Sequence, residues 1–244
     1  MIKATSGTII GTSHLKTGTP CQDAVARKIK STSACIALAD GAGSRPLSHI
    51  GSAILTDRMA DFGLKNFEAL HRLINLQSPK ALDMVVDPLI FALTATARRK
   101  KLKVDAFAST LMFFVVQDNR YVAGHIGDGA IFIQDTTGVR VLSQPDNGEY
   151  SNVTYFITDK KAKTKLRLYS GIIEHHFGVM LMSDGTAESL FDKRFKKPAE
   201  AAKRLFQWSN NLPIRKMSKV LSANLEKSFR TRTTDDCSIV VMTR

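Results

Sequence analysis

The sequence predicts an α+β protein in which two stacked, mainly antiparallel β-sheets are flanked by helices. Three observations lead to this fold class. Short apolar runs stop at Asp or Gly turns, apolar residues recur at helical spacing in long segments, and strands and helices come in separate groups along the chain. The 244 residues show no internal repeat, linker or shift in composition. We therefore expect a single domain over residues 1–244.

The N-terminal part is predicted to combine two strands with two long helices. Residues 2–11 are extended and β-branched, and residues 34–39 form an apolar run that stops at Asp40-Gly41, as a buried strand does. Apolar residues come round one side of a helix over residues 47–67 and again over about 80–102. Ser44 is placed to cap the first of these helices.

The following strands are short and separated by tight turns, which is typical of antiparallel hairpins. They are predicted at residues 110–116, 121–126, 130–134, 139–142, 153–158, 166–169 and 179–182, with a last strand at 237–242. Helices at about residues 198–208 and 214–228 separate the last strand from the others. Groups of strands alternating with helices indicate two sheets with helices outside them.

Composition excludes several classes of protein. Hydrophobic residues make up 43% and charged residues 23%, which supports a large core and argues against disorder. No apolar stretch reaches the roughly 20 residues that a membrane-spanning helix needs, and the first residues contain no apolar signal core. Three widely spaced cysteines form neither a disulfide framework nor a CxxC zinc site. We therefore expect a soluble, cytoplasmic protein without a membrane partner.

A net charge of +13 raises the alternative of a nucleic-acid partner. The cations form separate clusters at residues 98–103, 160–165 and 194–197, each in a loop or at the end of an element. No helix-turn-helix, zinc-finger or aromatic RNA-binding signature accompanies them. We interpret the clusters as solvated faces and do not expect a nucleic-acid partner.

Aspartates at strand ends are the most informative feature. Asp40 and Asp184 each end an apolar strand and precede Gly, Asp128 lies between two glycines, and Asp23 and Asp235-Asp236 border strands. Charge beside an apolar interior is costly, and bound Mg²⁺ or Mn²⁺ offsets the cost because these ions prefer carboxylate and carbonyl oxygens. One Asp-Gly alone is a common turn, but the ordered series favours a metal site.

The segments around these aspartates resemble the metal-dependent PP2C-type (PPM) protein phosphatases, in the style of a short bacterial branch with a Cys-Gln-Asp opening. In chain order the matching segments are Gly18-Thr19-Pro20-Cys21-Gln22-Asp23-Ala24, Ala39-Asp40-Gly41-Ala42-Gly43-Ser44, Ala108-Ser109-Thr110-Leu111, Gly127-Asp128-Gly129, Met182-Ser183-Asp184-Gly185 and Thr234-Asp235-Asp236-Cys237-Ser238-Ile239. Each motif alone is weak, whereas the ordered set is specific.

The resemblance implies an αββα sandwich with two Mn²⁺ or Mg²⁺ ions at one end. It implies that Asp40 bridges the ions, that Asp23 and the Gly41 carbonyl hold one of them, and that Asp184 and Asp235 hold the other. The three carboxylates Asp23, Asp40 and Asp184 would act in catalysis through a metal-activated water.

Further positions are assigned by the same resemblance. Asp236 is the alternative ligand to Asp235, Asp128 matches a possible third ion, and Gln22 is placed to orient a metal-bound water. Because the metal supplies the nucleophile, no active cysteine is required.

Two positions depart from the family pattern. Gly18 stands where many members carry a phosphate-binding Arg, and Ala42 stands where many carry a His that assists the leaving group. His14 and Arg45 are candidate substitutes in substrate binding. The start of the helix after Ser44 is a further candidate phosphate site.

These features predict a metal-dependent phosphatase that hydrolyses phosphoserine and phosphothreonine in phosphorylated proteins, working opposite a cognate Ser/Thr kinase. The alternative, motivated by the missing Arg and His, is a pseudophosphatase-like module that binds phosphoproteins with little or no turnover. Residues 143–178 are either a flap beside the site or a plain surface insertion.

Overall fold

The computed structural model describes residues 1–146 and 154–244, and its two stacked antiparallel sheets with outer helices confirm the predicted fold class. The first sheet contains, in spatial order, β1 (Lys3–Ile9), β12 (Cys237–Thr243), β9 (Gly178–Met182), β6 (Ala130–Asp135) and β7 (Gly138–Ser143). The second contains β2 (Ala24–Lys30), β3 (Ser33–Ala39), β4 (Leu111–Gln117), β5 (Arg120–Ile126) and β8 (Arg167–Ile172).

Helices cover the outer face of each sheet. The short helix α1 (Thr12–Thr17) lies between β1 and β2 in the chain and buries none of its residues. The second sheet is covered by α2 (Ser48–Lys65), α3 (Phe67–Asn75) and α4 (Lys80–Lys100), with a 3-10 turn at Val104–Phe107. The later ones are α5 (Ala162–Lys165), α6 (Asp184–Leu190), α7 (Glu200–Asn211) and α8 (Ile214–Asn224), which continues as a π turn at Leu225–Phe229. A small hairpin joins β10 (Phe191–Asp192) to β11 (Lys197–Pro198).

Three apolar layers hold the sandwich together. Alternate residues of each strand point to opposite faces, so β3 sends Ile36 and Leu38 between the sheets and Cys35 and Ala37 toward α2–α4. The third layer packs the first sheet against α6, α7 and α8, with Phe206 fully buried in it. Burial of this kind is the main favourable contribution to folding.

The strand register brings several strand ends to one end of the sandwich. In the second sheet Ala24 faces Ala39, and the end of β5 at Ile126 faces the start of β4. In the first sheet Met182, at the end of β9, pairs with Ala130 on one side and with Ile239 on the other. The turns that carry the strand-end aspartates therefore lie close together.

Two local predictions are wrong. Residues 155–158 form no strand, because Ile157 donates its N–H to the Ser109 carbonyl (3.0 Å) and buries its side chain under the second sheet instead of pairing in it. Residue 153 of that predicted strand lies outside the described residues. Ser44 caps no helix, because α2 begins only at Ser48 and Leu47 precedes it. Residues 43–44 and 46–47 are turns. The helix predicted over residues 47–67 corresponds to α2, and α3 begins after Asn66.

Much of the 143–178 segment is packed structure. Ala162 and Leu166 are buried in the layer below α4, and residues 167–172 form β8 at the edge of the second sheet. Residues 147–153 of this segment lie outside the described residues, so the choice between a flap and a surface insertion stays open. Among the helices of the described residues, none is both long and apolar enough to cross a membrane.

Candidate metal centre

The centre of the acidic site is the end of β3. Asp40 donates its backbone N–H to Thr110 Oγ1 (2.9 Å), and its carbonyl accepts the N–H of Thr110 (2.8 Å). This pairing fixes the first residue beyond β3 against the segment that leads into β4. Desolvation at this position, followed by the charge of Asp23, holds the pKa of Asp40 well above its ordinary value.

Three aspartates meet here. Carboxylate oxygens of Asp40, Asp128 and Asp184 lie within 4.8 Å of one another. Burial raises the pKa of Asp184 to about 7, with the charges of Asp128 and Asp235 adding to the effect. Burial also raises the pKa of Asp128, whereas a hydrogen bond from Thr154 opposes that rise. Like charges packed this closely repel unless a cation or a proton neutralises them.

Asp23 completes the group from the start of β2. It is 8% exposed, and neither of its buried carboxylate oxygens accepts a hydrogen bond of normal length and angle within the described chain. Burial raises its pKa to about 8, although the nearby hydroxyls of Ser183 and Ser238 oppose the rise. A buried carboxylate without a well-placed donor is costly, so these oxygens are a sign that the site is built for a cation.

Gly41 approaches its neighbours too closely to carry a side chain. A Cβ at this position would lie 2.8 Å from the Ser48 Cβ and 2.9 Å from the Gln22 carbonyl oxygen. Its N–H donates to the same Gln22 carbonyl (3.2 Å). The glycine therefore lets the start of α2 pack directly behind the Asp40-Gly41 turn.

Asp235 and Asp236 occupy different environments although they are adjacent. Asp235 is exposed and electrostatically coupled to Asp40, Asp128 and Asp184. Asp236 is 2% exposed and turns inward. Its Oδ1 accepts the Gly11 N–H (2.7 Å), and its Oδ2 accepts the N–H of Gln22 (2.6 Å).

The predicted substrate-binding residues already have partners. His14 Nδ1 lies 3.0 Å from Asp236 Oδ1, on the side of that carboxylate away from Gln22. Arg45 pairs with Asp105 (2.9 Å), and its side chain remains 44% exposed. The side-chain amide of Gln22 donates to the Arg45 carbonyl (3.5 Å), whereas its backbone N–H donates to Asp236. The substrate roles of these residues therefore remain predictions.

The cysteines near the site are protonated thiols. Burial, followed by the charge of Asp23, raises the pKa of Cys237 to about 12. Burial also raises the pKa of Cys21 far above its ordinary value. In the metal-free chain, neither thiol therefore supplies a thiolate nucleophile at neutral pH.

The donor set suits a hard divalent cation. Mg²⁺ and Mn²⁺ take oxygen ligands, and this end of the sandwich offers carboxylates from five strand ends or turns, namely Asp23, Asp40, Asp128, Asp184 and Asp235. A pair of such ions can clamp the oxygens of a phosphoryl group and generate a nucleophile from water.

Sequence reasoning missed two contacts. The Thr154 hydroxyl donates to Asp128 Oδ2, and Asp105 holds Arg45. A Thr or an Asp in a polar connection is too common to predict either contact. The Asp105-Arg45 partners are 60 positions apart (105 − 45), so local pattern carries no signal for their meeting.

Comparison with known proteins gives the same family. A family model described as protein phosphatase 2C matches residues 10–226, so Asp235 and Asp236 lie beyond the matched part. Serine/threonine-protein phosphatase 3 of Escherichia coli (strain K12) is 28% identical over 181 residues, which are 72% of this chain and 70% of that protein.

Solved structures share the fold at low identity. The Mycobacterium tuberculosis serine/threonine phosphatase PstP/Ppp superposes with a TM-score of 0.68 and 14% identity, covering 99% of this chain and 98% of that one. RsbX, solved in complex with magnesium, superposes with a TM-score of 0.63 and 12% identity, covering 99% and 94% of the two chains.

Proposed function

Because the chain belongs to the protein phosphatase 2C family, we propose that it is a metal-dependent serine/threonine phosphoprotein phosphatase. The observation that carries the proposal is the convergence of Asp40, Asp128 and Asp184 within 4.8 Å, beside a buried Asp23 whose oxygens accept no hydrogen bond of normal length and angle within the described chain. A protein has little reason to bring these charges together except to hold cations.

We assign the ligands as the family resemblance implies. Asp40 would bridge two ions, Asp23 and the Gly41 carbonyl would hold one, and Asp184 and Asp235 would hold the other. The exposure of Asp235 supports its choice over the inward-facing Asp236. When bound, two Mn²⁺ or Mg²⁺ ions lower the pKa of a shared water and neutralise phosphoryl oxygens.

A third ion at Asp128 belongs to the same proposal. The Thr154 hydroxyl occupies one oxygen of Asp128, so an ion there competes with a protein donor. That competition favours weaker binding at this position than at the other two.

The remaining residues act on the substrate. With no His at position 42, leaving-group assistance is limited, and loss of a general acid typically costs about 10²–10⁴-fold in rate. Arg45 would bind the phosphate once it leaves Asp105, since an exposed ion pair holds it by only about 0–1 kcal/mol. His14 would contribute through its free Nε2 edge.

The wider context completes the proposal. The substrates are phosphorylated proteins, a Ser/Thr kinase supplies them, and residues 1–244 act as one domain. The three free cysteines support a reducing cytoplasm.

Hydrolysis of an aryl phosphate and of a phosphothreonine peptide tests the proposal, each with EDTA, Mg²⁺ or Mn²⁺. We expect metal-dependent turnover that is lost in Asp40→Asn and Asp184→Asn. The control is Asp57→Asn, which removes an exposed α2 carboxylate paired with Lys28. Absence of turnover with metal still bound by calorimetry would overturn the enzyme and favour a phosphoprotein-binding module.

A further inference from the structure

An open groove runs between α2 and α4 on the outer face of the helical layer. Its volume is about 1240 Å³. The two helices are antiparallel, because the turn that follows α4 returns to the start of α2, where Leu47 donates its N–H to the Ala106 carbonyl (3.1 Å). From Ile50 to Lys65 the groove follows α2 for about 22 Å, at 1.5 Å per residue.

The floor of the groove is apolar and includes a strongly exposed aromatic ring. Phe91 on α4 is 76% exposed, although Phe is normally buried. Pro88 and Ala95 lie on the same face of α4, at the i−3 and i+4 positions relative to Phe91. Across the groove α2 contributes Ile54 and Phe62. These two apolar stripes at helical spacing form a surface against which a third helix can pack.

The acidic residues of α2 and α4 are paired with lysines that lie outside the groove, although one of these acids, Asp61, itself lines the groove. Lys28 on β2 pairs with Asp61 (2.7 Å) and with Asp57 (3.1 Å). Lys163 pairs with Asp83 and Asp87, both at 2.7 Å. The acids are therefore already matched by lysines of this chain.

The cations along the groove, in contrast, lack acidic partners within the described ranges. Arg58, Lys65 and Arg98 line the groove, and none of them forms a salt bridge with any residue in the described ranges. Within the part of the chain that the structure describes, Arg99 donates to the Thr96 hydroxyl (3.1 Å) and forms no salt bridge. A basic rim around an apolar floor complements a ligand with an apolar stripe and acidic flanks.

We propose that this groove binds an acidic amphipathic helix of a partner protein, of about four turns, with apolar residues at i, i+3 or i+4, and i+7. One end of the groove lies near the acidic site, because Ile50 is two residues beyond Ser48, which packs against Gly41. The inference stands on the groove itself and does not require that the chain be a phosphatase.

Selection from a random 16-residue peptide library displayed on phage tests the proposal, using the full chain as target. We expect the selected peptides to be acidic with the stated apolar spacing. Their dissociation constants, measured by fluorescence anisotropy on synthetic copies, should rise about tenfold with Phe91→Ala. With Arg58→Glu they should rise several-fold and become less dependent on salt.

Matched controls lie outside the groove. Phe195→Ala removes another exposed phenylalanine, and Arg204→Glu reverses a cation on α7. Both should leave peptide binding unchanged. Phe91→Ala should leave hydrolysis of a small aryl phosphate unchanged. The groove proposal can therefore be refuted without refuting the proposed function, and the proposed function can be refuted without refuting the groove proposal.

Other occupants give different results. The proposal would be overturned if Phe91→Ala leaves the peptide dissociation constants unchanged, if the selected peptides lack the acidic pattern, or if the selection yields no binding peptide. A concentration-dependent dimer in sedimentation that Phe91→Ala abolishes would assign the groove to a second copy of this chain. Co-sedimentation with phosphatidylglycerol vesicles that Phe91→Ala abolishes would assign it to a membrane surface. Either result would replace the helical partner.

Discussion

Replacing Asp236 should lower the free energy of unfolding far more than replacing its neighbour Asp235. Asp236→Ala removes the acceptor of two backbone N–H groups, those of Gly11 and Gln22. Each buried donor left without an acceptor costs about 1–3 kcal/mol, so we expect a loss of about 2–6 kcal/mol. That is a large part of the about 5–15 kcal/mol that holds a typical domain folded.

The conservative variant Asp236→Asn should lose only part of this stability. Asp236→Asn keeps Oδ1 for Gly11 and His14 but presents an amide N–H₂ to the N–H of Gln22. One donor loses its acceptor, so the expected cost falls to about 1–3 kcal/mol. Asp235→Ala removes the acceptor of one partly buried N–H, that of Asp236 (2.8 Å), from an otherwise exposed residue, so we expect a loss of only about 0.5–1.5 kcal/mol.

Urea denaturation in EDTA, followed by the fluorescence of Trp208, measures these differences without a contribution from metal. Trp208 is the only tryptophan of the chain. Calorimetric titration with Mn²⁺ should then show weakened binding in Asp235→Ala and retained binding in folded Asp236→Asn. The reasoning is refuted if Asp236→Ala is as stable as wild type, or if Asp235→Ala is the destabilised variant.

Three further predictions concern charge and packing. The pKa values of Asp23 and Asp184 are raised to about 8 and about 7, so the folded metal-free chain binds more protons than the unfolded chain between about pH 4 and pH 8. Its melting temperature in EDTA should therefore fall as pH rises through that range, and Mn²⁺ should reverse the fall; a flat profile would contradict the carboxylate cluster. Gly51→Ala places a Cβ 2.0 Å from the Phe107 carbonyl oxygen and should cost about 3 kcal/mol or more in urea, whereas Gly43→Ala, with its nearest atom at 3.8 Å, should cost about 0.5 kcal/mol or less. Arg45→Ala should raise KM for an aryl phosphate about tenfold and Asp105→Asn should lower it, because the second variant frees the guanidinium at little cost in stability; an unchanged KM in both would assign phosphate binding to another group.

The fold was predictable because its signals are local. The apolar run of β3 and the Asp40-Gly41 turn lie next to each other in sequence, and the residues of each predict its local structure without information from the rest of the chain. Strand order was not local information, since β12 pairs with β1 across nearly the whole chain. The grouping of strands and helices along the chain indicated two stacked sheets with helices outside, and the family resemblance implied the same arrangement.

The site was predictable in part for the same reason. Aspartates that end apolar strands are visible in the sequence, whereas the inward turn of Asp236 depends on N–H groups 225 and 214 residues away. The strand predicted over residues 153–158 is wrong at residues 155–158, where the alternation of apolar and polar residues suits a strand. In the structure, however, Phe156 donates its N–H to the Asp159 carboxylate (2.8 Å), which closes a turn.

The position of β12 inside the first sheet has a consequence for the order of folding. Lys3–Ile9 has Cys237–Thr243 as its only strand partner in the described sheet, although all the other strands of that sheet lie between the two in sequence. Pairing two strands so distant in sequence closes a long loop, so we expect this pair to form slowly and after the local hairpins. Asp235 immediately precedes β12. The assigned carboxylate set is therefore completed only when this long-range pair forms, late in folding.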